Sequence, residues 1–125
     1  MNDRWIVDAM NVIGSRPDGW WKHRKEAMRA FARAVDEHAG TTAKEVTVVF
    51  DSDPGSLPET THIDIVIARR RGANAADHEI ERLVAAAEDP ARLRVVTSDR
   101  ALIERVETLG AEIVSAGDFR SQLER

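Results

Sequence analysis

Apolar and polar positions change rhythm several times along the chain, and each change marks an element. Trp5-Ile6-Val7 is a short apolar run closed by Asp8, which predicts a buried strand followed by a loop. Met28, Phe31, Ala32 and Val35 then recur at helical spacing within roughly 22–38, with Gly40 as the expected stop. Val46 to Phe50 is β-branched and ends at Asp51, and Asp53-Pro54-Gly55 is turn chemistry. Ile63 to Ala68 predicts a third strand. Asn74 is placed to cap a helix carrying Ala76, Ile80, Leu83, Val84 and Ala87 on one face. Leu93 to Thr97 reads as a fourth strand and Ala101 to Leu109 as a helix stopped by Gly110. Ile113-Val114 is a short fifth strand, and Ser115 caps a last helix through Leu123. The strands are continuously apolar rather than alternating, so both faces of their sheet need cover. The predicted fold is a single α/β domain over 1–125, with a mainly parallel five-stranded sheet flanked by helices on both faces.

Bulk properties narrow the class. A chain of 125 residues fits one core, and 42% hydrophobic with 32% charged residues is too apolar for disorder. The absence of cysteine removes disulfides, thiolate metal sites and cysteine nucleophiles together. With no apolar leader at the N-terminus and no run long enough to span a bilayer, a soluble cytoplasmic protein with no membrane partner is expected. A net charge of -4 argues against coating nucleic acid by bulk electrostatics, although acidic metal sites contribute negative charge that cations offset.

The acids carry the chemistry. Ligands of open α/β sheets bind beyond the carboxyl ends of the strands, where strand order reverses. Asp8 and Asp51 end the first two strands, Asp99 follows the fourth, and Asp77 lies in the first turn after the third. Four acids from four segments are therefore expected to converge on one rim. Clustered carboxylates repel one another, and Mg²⁺ or Mn²⁺ turns that repulsion into coordination. Taken singly, an aspartate after a strand is better explained as a turn former or helix cap, as for Asp99 before its helix and Asp53 before Pro54, with Asp51 evenly placed between the two readings. The set carries the metal reading.

Val7-Asp8-Ala9-Met10-Asn11-Val12-Ile13-Gly14 resembles the opening of NYN domains, a branch of the PIN-like nuclease superfamily, and in particular the YacP-like group. Val49-Phe50-Asp51, the segment Gly72 to Glu81 with its Ala76-Asp77 pair, and Val96-Thr97-Ser98-Asp99-Arg100 are similar to further family motifs, in family order. The resemblance implies a PIN-like fold and a metal-dependent endoribonuclease acting on single-stranded RNA. It implies Mg²⁺ or Mn²⁺ held at Asp8, Asp77 and Asp99 with Asn11 beside them, and messenger RNA cleavage in association with ribosomes. Two positions depart from the pattern. Ala9-Met10 replaces the usual Gly-Tyr, and Arg100-Ala101-Leu102 stands where many relatives carry another acid. Asp51 is then the candidate for an additional ligand.

Other residues are read against that rim. Asn11 would orient water or phosphate, or else bond its own loop backbone. Ser98 would bond a carboxylate or phosphate, or serve as a helix-start hydroxyl. Arg69, Arg70, Arg71 and Arg100 would grip an RNA backbone if they face the rim, and are solvated surface if they do not. Trp20 and Trp21 would stack on bases when exposed, but at least one is expected to staple the loop onto the following helix. Trp5 belongs to the core. His78 and the other histidines show no ligand spacing. Glu79 and Glu81 are expected on the helix surface, Glu81 being the better placed for an outer role.

Three function classes are compatible with this pattern. The leading one is the endoribonuclease. The alternative is a non-catalytic RNA- or ribosome-binding module that keeps the fold. A receiver-like or phosphoryl-transfer domain also places aspartates at strand ends, but the chain lacks an Asp-x-Asp pair after its first strand and a Gly-rich phosphate loop.

Overall fold

Five parallel strands lie side by side in the order β3-β2-β1-β4-β5 in the computed structural model, which describes all residues except 1, 2, 17, 70, 71 and 73. They are β1 (Arg4–Asp8), β2 (Glu45–Phe50), β3 (Ile63–Ile67), β4 (Leu93–Val96) and β5 (Glu112–Val114). The chain moves outward from β1 to β3 and then crosses back to β4 on the other side of β1. The order therefore reverses beside the central strand. β1 is held in register on both flanks, with Val7 opposite Val48 and Val96.

Side-chain alternation splits the core in two. Trp5, Val7, Val46, Val48, Phe50 and Val96 point to one face, against α1 (Ala9–Gly14), α2 (Arg24–Thr42) and α5 (Ala116–Leu123). Ile6, Val49, Leu93 and Val95 point to the other, against α3 (Ala75–Ala86) and α4 (Arg100–Thr108). The central strands are continuously apolar because helices cover both of their faces, whereas Arg4, Glu45, Asp64 and Glu112 at the sheet margins are exposed. Phe119 of α5 is fully buried on the first face, its ring 6.0 Å from Trp5 and 5.9 Å from His38. The amino end of the sheet is closed by Lys44, whose Nζ lies 4.2 Å from the Trp5 ring centre and donates to Gln122 Oε1 at 2.7 Å. Among the described residues no helix is long and apolar enough to cross a membrane.

Three local expectations are corrected. The segment after Asp8 is a helix rather than a loop, and α1 buries Ala9, Val12 and Ile13; two turns are too short for periodicity to reveal. Gly40 does not stop α2, which runs on to Thr42 and ends at Ala43 with φ 55°. A Cβ at Gly40 would lie 2.5 Å from the His62 ring, so this glycine admits the approach to β3. Asn74 makes no side-chain cap for α3. Ser115 does cap α5 as expected, its Oγ accepting from the Asp118 N–H at 3.1 Å, and Asp53 Oδ1 accepts from Gly55 N–H at 2.8 Å in the predicted turn.

Because Phe119 joins α5 to both β1 and α2, Phe119→Ala is expected to cost about 3–5 kcal/mol. Urea denaturation measures it, and a loss below 1 kcal/mol would mean that α5 is not part of the cooperative core.

Candidate metal centre

Alternation along β1 determines where Asp8 goes. It follows Ile6 by two residues and so points to the face covered by α3 and α4. Thr97, one residue past β4, reaches the same face and is fully buried. Its hydroxyl donates to Asp8 Oδ2 at 3.0 Å and accepts from the Asp99 backbone N–H at 3.1 Å. One threonine thus ties the ends of β1 and β4 together. Asp99 caps α4, its Oδ1 accepting from Leu102 N–H at 3.1 Å. Asp77, the third residue of α3, is nearly buried beneath Arg105 of α4, whose guanidinium lies 3.7 Å from Asp77 Oδ2 and 3.3 Å from Glu81 Oε2.

These carboxylates sense each other. Burial, reinforced by the charges of Asp77 and Asp99, pushes Asp8 up to about 7, against the pull of the Thr97 hydroxyl and the Asn11 backbone. Burial first, then Asp99 and Glu81, also raises Asp77, while Arg105 and His78 relieve it. Asp8, Asp77 and Asp99 are one electrostatic unit at the strand-order reversal.

As a donor set this unit suits a hard divalent ion: three carboxylates, no soft ligand, and repulsion that a cation would relieve. Among the described residues, however, no three His, Asp or Glu side chains stand together as a ready-made cage. Asp99 is turned into its cap and Asp77 toward Arg105, so enclosing an ion requires side-chain rotation.

The remaining expected residues are distributed around this unit. Asp51 is not brought into it. It turns to the opposite face, where both of its oxygens accept from Arg24 Nη2 at 2.7 Å. Asn11 reaches across from α1, its Oδ1 accepting from Ser98 N–H at 2.8 Å. Ser98 Oγ accepts from Ala116 N–H at 2.9 Å. Both therefore hold the loop that carries Asp99. Arg100 is exposed at the start of α4 and Arg69 is exposed after β3. Arg70 and Arg71 lie outside the described residues. Glu79 corrects an expectation: it is buried rather than on the surface, and pairs with Arg82. Trp5 is core and Trp20 packs against it, whereas Trp21 is 59% exposed. Arg105 has no sequence signal, and Thr97 within its motif and Arg24 within the loose basic run Arg16, Lys22, Arg24 and Lys25 carry none for their partners, which only the folded chain brings near.

A parallel α/β domain with acids at its strand-order reversal is the class that fold and site define. The chain belongs to the YacP-like NYN domain family, which it matches over residues 5–125. It is similar to the crystal structure of Rae1 (YacP) from Bacillus subtilis in its W164L mutant form, at 26% identity and a TM-score of 0.79, covering 98% of this chain and 74% of that one. Another crystal structure of Rae1 (YacP) from Bacillus subtilis matches at 24% identity and a TM-score of 0.77, with the same coverage. No curated protein matches the chain. Family and likeness together support a nuclease-like, RNA-related function.

The raised Asp8 has a consequence for stability. In the unfolded chain Asp8 ionises near its ordinary 3.8, in the folded one near 7, so stability falls as pH rises through that interval. With divalent ions chelated, Asp8→Asn is expected to stabilise the protein at pH 8, by on the order of 4 kcal/mol at most, and the gain should shrink toward pH 5. Urea denaturation at both pH values checks it; a destabilised variant at pH 8 would contradict the electrostatic account.

Proposed function

We propose that the domain is a metal-dependent endoribonuclease that hydrolyses single-stranded RNA at the rim formed by Asp8, Asp77 and Asp99, with Mg²⁺ or Mn²⁺ as cofactor. The observation that carries this reading is the burial of mutually repelling carboxylates at the strand-order reversal, an arrangement that costs stability unless a cation joins it. When bound, such an ion would assist deprotonation of water and neutralise charge on a phosphodiester under in-line attack.

The protein's own part is positional. Thr97 donates to one oxygen of Asp8, and the Asn11 backbone also favours the charged carboxylate. The α4 cap engages one oxygen of Asp99 and leaves its second open. Arg105 holds Asp77 at the site and would present its cation to a phosphate bound there. Asn11 and Ser98 keep the Asp99 loop against α1 and α5. Arg69 and Arg100 flank the rim as phosphate contacts. The family resemblance extends the proposal to messenger RNA as substrate, the ribosome as partner and the cytoplasm as location.

A second reading, a non-catalytic RNA- or ribosome-binding module, is favoured by one observation: Asp77 and Asp99 are already engaged by Arg105 and the α4 backbone.

Single-stranded RNA incubated with the protein and Mn²⁺ separates the two. Cleavage is expected, and Asp8→Asn or Asp99→Asn should lower its rate by at least the 10–100-fold that loss of an outer metal-site partner already costs. Undiminished cleavage in both variants would remove these residues from the mechanism. Mn²⁺ at 100 times its dissociation constant should also stabilise the wild type by about 2.7 kcal/mol, and RNA binding without any such shift would favour the second reading.

A further inference from the structure

Arg24 and Asp51 stand outside the metal centre and form a construction of their own. Arg24 opens α2, and Asp51 follows the last residue of β2. Both Asp51 oxygens accept from a single nitrogen, Nη2, and the Ser52 hydroxyl donates to Oδ1 at 3.2 Å. The guanidinium carbon lies 5.8 Å from the centre of the Trp20 ring, which packs on the core. The guanidinium is thus held from two sides, while Nε and Nη1 are engaged by no described residue and keep their donors.

Stability does not account for this arrangement. Arg24 and Asp51 side chains are 39% and 28% exposed, and ion pairs that open to water add little to folding. The pair instead lines a cleft of about 580 Å³ at the carboxyl end of β2 and β3, shared with Arg69 and Gly72. Gly72 has φ +122° and no side chain to obstruct it. Of the two acids of the cleft, Asp51 is paired with Arg24, whereas Asp53, whose Oδ1 accepts from the Gly55 N–H in its turn, keeps its negative charge. Among the described residues the uncommitted donors of the cleft are Nε and Nη1 of Arg24, each able to donate singly to a phosphate oxygen, and the guanidinium of Arg69. Asp8 is paired with Val49, two residues before Asp51, so the cleft and the acids lie at the carboxyl ends of neighbouring strands, on opposite faces of the sheet.

We propose that Arg24, steadied by Asp51 and Trp20 and joined by Arg69, forms a phosphate-binding subsite for the backbone of single-stranded RNA beside the nucleotide at the metal centre. Asp51 is then the positioning residue of an RNA contact rather than an ion ligand. The inference rests on the nuclease reading above for its ligand.

Anisotropy of a fluorescein-labelled 12-nucleotide uridine RNA, in EDTA to prevent cleavage and across a salt series, tests it on the full chain. Arg24→Gln is expected to weaken binding about five- to tenfold and to lower the salt slope by about one. Arg24→Lys, which keeps the charge but not the planar set of donors, should recover the slope and part of the affinity, and Asp51→Asn should leave the Mn²⁺-induced rise in melting temperature unchanged. Binding and slope unaltered in Arg24→Gln, while the wild type binds, would overturn the subsite and leave the nuclease reading standing. Loss of the Mn²⁺ response in Asp51→Asn would return Asp51 to the ion. If the wild type neither bound nor cleaved RNA, with or without Mn²⁺, both readings would fall.

Discussion

Asp8 sits at the carboxyl end of the central strand, 5% exposed, with Asp77 and Asp99 close enough to raise its pKa. Much of the surrounding structure serves to keep it there. The β1–β4 pairing brings Thr97 to one of its oxygens, the alternation of β1 aims it at α3 and α4, and Asn11 ties the far side of the site to the Asp99 loop. A domain of this size has about 5–15 kcal/mol of net stability, so a buried carboxylate held near pKa 7 uses a sizeable share of it. Proteins keep such arrangements where the strain serves chemistry. The apolar faces around it, anchored by Phe119 and Phe50 on one side and Ile80 and Leu102 on the other, are what make the arrangement tolerable.

The two faces of the sheet divide the labour. Asp8, Thr97, Asp77, Asp99 and Arg105 belong to the side of α3 and α4. Arg24, Asp51 and Trp20 belong to the side of α2. Both groups lie at the carboxyl ends of the strands, because each helix that carries a functional residue starts there. That separation explains why two acids at neighbouring strand ends, Asp8 and Asp51, have different partners. Asp8 continues the alternation of its strand. Asp51 lies beyond the last β2 residue and is turned by Arg24.

How legible this was in the sequence depends on range. The five strands, four of the five α-helices and the rim position of three aspartates follow from local periodicity and from the rule that parallel sheets bind at their carboxyl ends. The Ser115 cap and the Asp53 turn are equally local. Helix α1 was missed because six residues carry too little pattern, and the end of α2 because Gly40 serves a contact with His62 rather than termination. What sequence could not reveal is pairwise and distant: Thr97 to Asp8 spans 89 residues, and Arg24 to Asp51 spans 27. Strand order decides such contacts, and strand order is a property of the whole chain. Strand-end position and family motif both identify the acids without their partners, and so place Asp51 with the metal set until Arg24 is seen beside it.

The central claim is that Asp8, Asp77 and Asp99 form one cation site. A crystal soaked in Mn²⁺, with anomalous scattering recorded at the manganese edge, tests it most directly. Anomalous density is expected at two or more of these three carboxylates, with Asp77 drawn away from Arg105 and Asp51 still on Arg24. Density confined to other acids, or none at these carboxylates under saturating Mn²⁺, would contradict it.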